Sequence, residues 1–342
     1  MPTGPRNLVT DVAGLSVGHA HDARLASGVT VCLIHAPNAA SGLVVGGAPG
    51  GRETGLLAPE ALATGLDAVV LSGGSTFGLG AADGVQALLR ENGVGTTFGG
   101  GRIPLAVQAI CFDLANGGDK DWGRYPPYRE MGYEAAAKAG PAFALGTAGG
   151  GYGATTADLK GGVGSASAVT ASGHTVGVLV VVNAVASAVV GGGPHFWAGP
   201  YEEGDEFGGL GPCPVANAAT RHLGWKGGPS TRDVAPATTI ALVATDAVLD
   251  KAQCRHLAGA ASGGLHRGLR FAGGITDGDT VFAAATLRRP LAEPVRDLTE
   301  LGAVAGDCLA RAIARGVHAA TALPFPGAKP AWRDRFQNRS AR

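Results

Sequence analysis

Ala237 and Thr238 stand where a long Gly- and Pro-rich segment gives way to the β-branched run Thr238-Thr239-Ile240-Ala241-Leu242-Val243. Scission of the Ala237-Thr238 peptide bond would leave a hydroxyl and a free α-amine on one residue. An α-amine has an ordinary pKa of about 7.7–8.0, so near neutral pH it can take the proton of the hydroxyl beside it. Such a residue carries its own nucleophile and its own base. By itself, a Thr-Thr pair at a strand start signals no more than β-propensity. The weight falls on what the rest of the chain supplies.

Asp277-Gly278-Asp279 sets two carboxylates two residues apart, and in extended backbone they project to the same side. Two acids so close cannot both ionise cheaply, which predicts a raised pKa for one; the alternative is an Asp-Gly turn with both acids in water. Lys160 lies in a glycine-rich, almost uncharged stretch over 146–167. It is either a solvated turn residue or a positive charge brought up to a reaction centre. Asn183 ends the apolar run 175–182, as a strand cap or as an amide turned into a cleft to serve an oxyanion or amine. His19 and His21 share a strand face but have no carboxylate or thiolate pattern nearby, and HExxH does not occur. The chain calls for no metal and no cofactor.

A strand, a glycine loop and a helix follow one another over 66–91 and invite a nucleotide-binding reading. Gly78-Leu79-Gly80 lacks the third glycine in its place, however, and no GK[ST] occurs. Gly73-Gly74-Ser75-Thr76-Phe77 fails as a GxSxG nucleophile elbow, because Phe77 stands where the last glycine must be.

Of 342 residues, 27 are basic and 27 acidic, so no broad footprint for nucleic acid or a membrane surface is present. The expected partner is a small molecule. Five scattered cysteines without a CxxC pair argue against a disulfide framework and a zinc site. The N-terminal stretch has no apolar signal-peptide core. A reduced, cytoplasmic protein is expected, with the Asn338-Arg339-Ser340 sequon idle. The most apolar run, 176–190, is shorter than the roughly 20 residues of a membrane-spanning helix and is interrupted by Asn183; it reads as a buried strand or strand pair.

Periodicity supplies the elements that must hold these groups. Short strands are expected over 8–36, with Val29, Val31 and Leu33 on one face. A helical segment near 56–64 follows the GGAPGG loop, then a strand over 66–71 and a helix over about 79–91 buried through Leu79, Val85, Leu88 and Leu89. A helix from about Tyr128, strands over 175–182 and 238–244, and a helix from an Asp250 N-cap to Leu269 come next. A buried strand after Asp279 and a helix over about 298–316 complete the set. The stretch 191–237 has no hydrophobic period and reads as a flexible arm that presents the Ala237 carbonyl as an intramolecular substrate. The Pro- and Arg-rich tail from Pro324 is expected to be loose or laid on a neighbouring subunit.

The succession TDVAGLSVGHA, LSGGSTFGLGAADGV, KGGVGSAS, VVVNAVASAV, ATTIALVATDAVLDKAQCRHLA and TDGDTVFAAAT resembles the DmpA-like self-processing aminopeptidase/amidase family, which includes the nylon-oligomer (6-aminohexanoate-oligomer) hydrolases. The likeness covers nearly the whole chain in order. It implies an α/β (α+β) fold, a four-layer αββα sandwich of the DmpA/ornithine-acetyltransferase type. It further implies one hydrolase domain over 1–342, cut into a large chain 1–237 and a small chain 238–342, and assembled as a homo-oligomer.

Carried onto this sequence, the resemblance makes Thr238 the nucleophile and Asp277 and Asp279 the acidic pair that orients its amine and hydroxyl. Lys160 and Asn183 fall on further active-site positions, with Asn183 helping to hold the oxyanion. Phe77 occupies a substrate-binding position where the nylon-oligomer branch has a tyrosine, so any role of that hydroxyl is lost. Ala237 replaces the Asn of that branch and the Gly of several aminopeptidases. The related ornithine acetyltransferases are cut between Ala and Thr, and cleavage at Ala237-Thr238 is expected here.

The expected activity is hydrolysis of small amides or peptides through an acyl-enzyme on Thr238. Linear 6-aminohexanoate oligomers are one substrate class and short natural peptides another. An acetyltransferase reading lacks that family's other motifs. The non-enzymatic alternative is an uncut relative that only binds a ligand in its glycine-rich cleft.

Overall fold

The computed structural model describes residues 1–214, 224–226 and 236–337. The chain opens with β1 (Leu15–Asp22), β2 (Ser27–Ile34), β3 (Ala39–Val44), β4 (Gly51–Arg52) and β5 (Ala68–Ser72). Next come α1 (Ala81–Glu91), a hairpin of β6 (Thr96–Phe98) and β7 (Gly101–Ile103), then β8 (Ala106–Ile110) and α2 (Tyr128–Ala137). β9 (Gly162–Val169) and β10 (Thr175–Asn183) precede β11 (Thr238–Ala247), α3 (Lys251–Gly268), β12 (Thr280–Arg289), α4 (Pro294–His318) and α5 (Trp332–Phe336).

Two five-stranded sheets result, in the orders β1-β2-β5-β8-β4 and β3-β12-β11-β10-β9. Val85 and Leu89 of α1 and Tyr128 and Met131 of α2 pack on Val29, Val31 and Val70 of the first sheet. Leu257 and Leu265 of α3, with Leu301 and Leu309 of α4, pack on Val178, Val180, Ala241 and Val243 of the second. Between the sheets, Val69, Leu71 and Val107 meet Leu179, Val181, Ile240, Leu242 and Phe282. The layers therefore stack as helix, sheet, sheet, helix, the αββα sandwich that the resemblance implies.

This stacking explains the unbroken apolar runs. With both faces of the central strands covered, alternate residues of β10 and β11 enter two different cores and neither face can be polar. The run 176–190 is β10 with the turns that follow it, and among the described residues no helix is long and apolar enough to cross a membrane. Asp250 caps α3 as expected, accepting from the Gln253 amide while the Gln253 side chain reaches back to the cap.

Three expectations are corrected. The segment 56–64 is no helix: Thr54–Leu57 forms one 3₁₀ turn, and Pro59 holds Ala58 extended at ψ 136°. The first part of the 191–237 stretch is packed rather than flexible, because Phe196 and Phe207 enter the helix-side core. Glu206 also takes a buried ion pair from Arg311, at 2.6 Å. Isolated aromatic anchors of this kind leave no period to read. The tail is not loose up to Gln337: Trp332 is buried against Phe196, ring centroids 5.5 Å apart, and its indole N–H donates to the Pro194 carbonyl at 2.9 Å. The rest of the arm, 215–223 and 227–235, and the sequon lie outside the described residues.

Candidate active site

Thr238, the first residue of β11, lies directly opposite Asn183, the last of β10. Opposed residues of an antiparallel pair share a face. Thr238 keeps the parity of Ile240 and Leu242, and Asn183 that of Leu179 and Val181, so both side chains look into the space between the sheets. Ala237 and Thr238 are 1% and 4% exposed.

The Thr238 hydroxyl donates to the Ala237 carbonyl oxygen at 2.5 Å. The Gly278 N–H donates to the same oxygen at 3.0 Å. A nucleophile is thus held beside the peptide bond, and the carbonyl already has a fixed donor where negative charge would develop. Position 278 admits only glycine, since a Cβ there would stand 2.8 Å from the Thr238 hydroxyl oxygen and 2.8 Å from the Ala48 carbonyl.

The Asp277-Gly278-Asp279 turn is itself clamped by the GGAPGG loop after β3. The Ala48 amide donates to the Asp277 carbonyl and the Val45 amide to the Asp279 carbonyl, each at 2.8 Å. Gly46 lets the two backbones touch, because a Cβ there would lie 2.1 Å from the Asp277 carbonyl oxygen. Both acids are buried, at 1% and 2% exposed, which removes the reading of a solvated turn. Asp279 accepts from the Thr239 amide at 2.5 Å and the Gly273 amide at 2.8 Å. Asp277 accepts from the Gly274 amide at 2.9 Å through one oxygen, and its other oxygen, Oδ1, is buried without a partner among the described residues. Burial first, then the neighbouring Asp277 carboxylate, lifts Asp279 to about 7. Burial raises Asp277 as well.

Lys160 is no solvated turn residue. It is buried immediately before β9, donating to the Gly151 and Gly161 carbonyls at 2.9 and 2.8 Å, and burial pushes it down to about 7. The Asn183 amide is held at both ends: Oδ1 accepts from the Thr155 amide at 3.0 Å, and Nδ2 donates one of its two hydrogens to the Phe112 carbonyl at 2.9 Å. Phe77 is joined to this group at one remove. It lies half-exposed on a 3₁₀ turn with its ring 5.3 Å from that of Trp122, and Gly74 at the head of that turn donates to Asp113 at 2.7 Å.

Two charged neighbours carry no mark in the sequence. Lys226 donates to Asn183 Oδ1 at 2.7 Å and to the Thr155 carbonyl at 3.2 Å; burial pushes it down to about 8. It sits within the 191–237 stretch, 43 residues from its amide partner, and nothing local announces the meeting. Asp113, 3% exposed and raised by burial, accepts from the Ser27 hydroxyl at 2.7 Å. His19 is half-buried and engaged at both ring nitrogens: Nδ1 meets the Thr30 hydroxyl and Nε2 the Ala144 carbonyl, and desolvation lowers it to about 4. Among the described residues no group of three His, Cys, Asp or Glu is placed to hold a metal ion.

Known proteins share this arrangement of chain. An uncharacterised aminopeptidase of Mycobacterium bovis is 42% identical over 350 residues, 96% of this chain and 98% of that protein. One of Mycobacterium leprae is 41% identical over 358 residues, 95% of this chain and 96% of its own length. A β-aminopeptidase from a Burkholderia species superposes with a TM-score of 0.67 at 23% identity, over 97% of this chain and 92% of that one. The L-aminopeptidase D-Ala-esterase/amidase of Ochrobactrum anthropi, a serine aminopeptidase with a variant of the Ntn hydrolase fold, superposes at 0.68 and 21% identity over 96% and 91%. The sequence profile of peptidase family S58 spans residues 7–329, and this chain belongs to that family of peptide-bond hydrolases.

Proposed function

We propose that the chain cuts itself between Ala237 and Thr238, and that the liberated Thr238 then hydrolyses amide bonds at the amino end of short substrates. The observation that carries this reading is the Ala237 carbonyl held between the Thr238 hydroxyl and the Gly278 amide. In maturation the hydroxyl oxygen attacks the Ala237 carbonyl carbon. The C–N bond breaks, the hydroxyl proton passes to the departing nitrogen, and an ester joins Ala237 to the Thr238 side chain. Water hydrolyses that ester, leaving a carboxylate on Ala237 and a free amine and hydroxyl on Thr238.

In turnover the same hydroxyl attacks the substrate amide carbon while the Thr238 amine takes its proton and becomes an ammonium. The ammonium then hands that proton to the departing amine as the C–N bond breaks, and water hydrolyses the ester left on Thr238. Asp277 and Asp279 fit the role of the orienting pair for the Thr238 amine, because Asp277 forms an isolated β-bridge with Ala237 and its Oδ1 is buried and unpartnered among the described residues. Lys160 and Lys226 supply positive potential nearby, and Lys226 holds the Asn183 amide in place for the oxyanion. Phe77 offers a substrate an apolar surface on the loop tied to Asp113.

Its similarity to proteins named aminopeptidases supports substrates read from the amino end, with short peptides as the first class to test. The 6-aminohexanoate oligomers present the same free amine, which keeps them as a second substrate class. Intact mass of the purified protein tests the first step: wild type is expected as two species, 1–237 and 238–342, and Thr238→Ala as one. Peptide p-nitroanilides, 6-aminohexanoate oligomers and acetylornithine assayed side by side test the second. An unbroken wild-type chain that still hydrolyses amides would overturn the proposed chemistry.

A further inference from the structure

A cavity of roughly 500 Å³ adjoins Asn183, its lining including Phe112, Asp113, Asn116, Thr155, Lys226 and Lys329. Phe112, Thr155 and Lys226 all hydrogen-bond to the Asn183 side chain, and Asn183 faces Thr238 across the ladder. Side chains so opposed have Cβ atoms about 4.5–5.5 Å apart, while an extended peptide advances about 3.3–3.6 Å per residue. A substrate with its scissile bond at Thr238 therefore places its next residue or two in this cavity. The volume suits a ligand of that size.

The polar lining is biased in charge. Both Asp113 oxygens are committed, one to the Ser27 hydroxyl and one to the Gly74 amide, each at 2.7 Å. The Asn116 amide donates to the Ala26 and Gly153 carbonyls at 2.7 and 3.0 Å. Both ammonium groups, in contrast, meet only neutral oxygens among the described residues. Lys226 donates to Asn183 and Thr155, and Lys329 to the Ala157 carbonyl at 2.7 Å. Each ammonium has three donors, so donors remain on both. Burial pushes Lys226 down, against the opposing pull of Cys111 and Asp113, and the Lys329 charge adds to the lowering.

From the cavity, its two ammonium groups and its distance from Thr238, we infer that this site binds a substrate carboxylate, so that the enzyme acts on short amides bearing a free carboxylate within about two residues of the bond it cuts. The inference deepens the amide-hydrolase reading and rests on it for the location of the bond. A C-terminal carboxylate and an acidic side chain offer the same chemistry to the two lysines. Charge-assisted hydrogen bonds are what distinguish either from a neutral end group.

Binding is tested with ligands that hold no amide bond. Calorimetry on the mature enzyme is expected to show 6-aminohexanoate bound at least tenfold more tightly than 6-amino-1-hexanol. Lys329→Met should bring that ratio within about twofold, and Lys329→Arg should restore it. Equal affinity for the two ligands, binding of neither, or an unchanged ratio in Lys329→Met overturns the inference. Turnover of L-alanyl-L-alanine, its C-terminal amide and L-alanyl-L-aspartic acid α-amide then assigns the source. A preference for the first places the carboxylate at the chain end, and a preference for the third places it on a side chain. Cleavage of all three at like rates with a binding ratio of one sinks the carboxylate site alone; no cleavage of any, with the binding ratio intact, sinks the hydrolase reading and leaves the site standing.

Discussion

The backbone amide of Gly278 donates to the carbonyl of Ala237 at 3.0 Å, so the peptide bond before Thr238 is polarised by the same turn that carries Asp277 and Asp279. A methyl group on Gly278 would stand 2.8 Å from the Thr238 hydroxyl oxygen, and a buried contact that close has to push one partner away. Gly278→Ala is expected to slow the appearance of fragments 1–237 and 238–342 by at least tenfold, followed by intact mass over time after synthesis. A cleavage rate equal to wild type would show that this contact does not align the hydroxyl.

Asp279 makes stability depend on pH in one direction. Folding lifts its pKa to about 7 from about 4, so the folded state holds that proton more tightly than the unfolded chain does. Its contribution is whole below about pH 4 and is lost as the pH rises through 7. Asp279→Asn removes the dependence. The melting temperature of the variant, relative to wild type, should be higher at pH 8 than at pH 5 by a few degrees. The same difference at both pH values would contradict the raised pKa.

Lys160 acts in the opposite sense. Burial brings its pKa to about 7 from 10.5, so the folded state holds the proton less tightly than the unfolded chain. The cost is complete below pH 7 and fades between 7 and 10.5. Lys160→Met should therefore gain in melting temperature against wild type on going from pH 9 to pH 6. The same difference at both pH values would place the Lys160 ammonium in a solvated or anion-paired setting.

Trp332 fastens the tail to the body of its own chain through its ring contact with Phe196 and its bond to the Pro194 carbonyl. Removing a buried indole costs about 3 kcal/mol or more. Trp332→Ala is expected to lower the denaturant midpoint accordingly, with the slope of the transition unchanged. A loss under about 0.5 kcal/mol would mean that the tail is not docked there in solution.

What the sequence alone determined is local in origin or spread over the whole chain. The hydroxyl after the Pro-Ala junction, the Asp-Gly-Asp spacing and the Asp250 cap each depend on residues within a few positions of one another. The unbroken apolar strands and the order of the motifs carried the layered fold through resemblance to a family. Periodicity reports that a residue is buried but not against what, so only the tertiary structure decided the partners. It set Lys226 on Asn183 from 43 residues away, clamped the acidic turn with the GGAPGG loop, and buried Lys160 where the sequence favoured a solvated turn. It also folded the tail back onto Phe196 and brought Lys329 to the wall of the cavity that Lys226 shares. Those contacts join distant segments at the ends of strands, where the backbone leaves its regular ladder and no repeating pattern marks which side chains will meet.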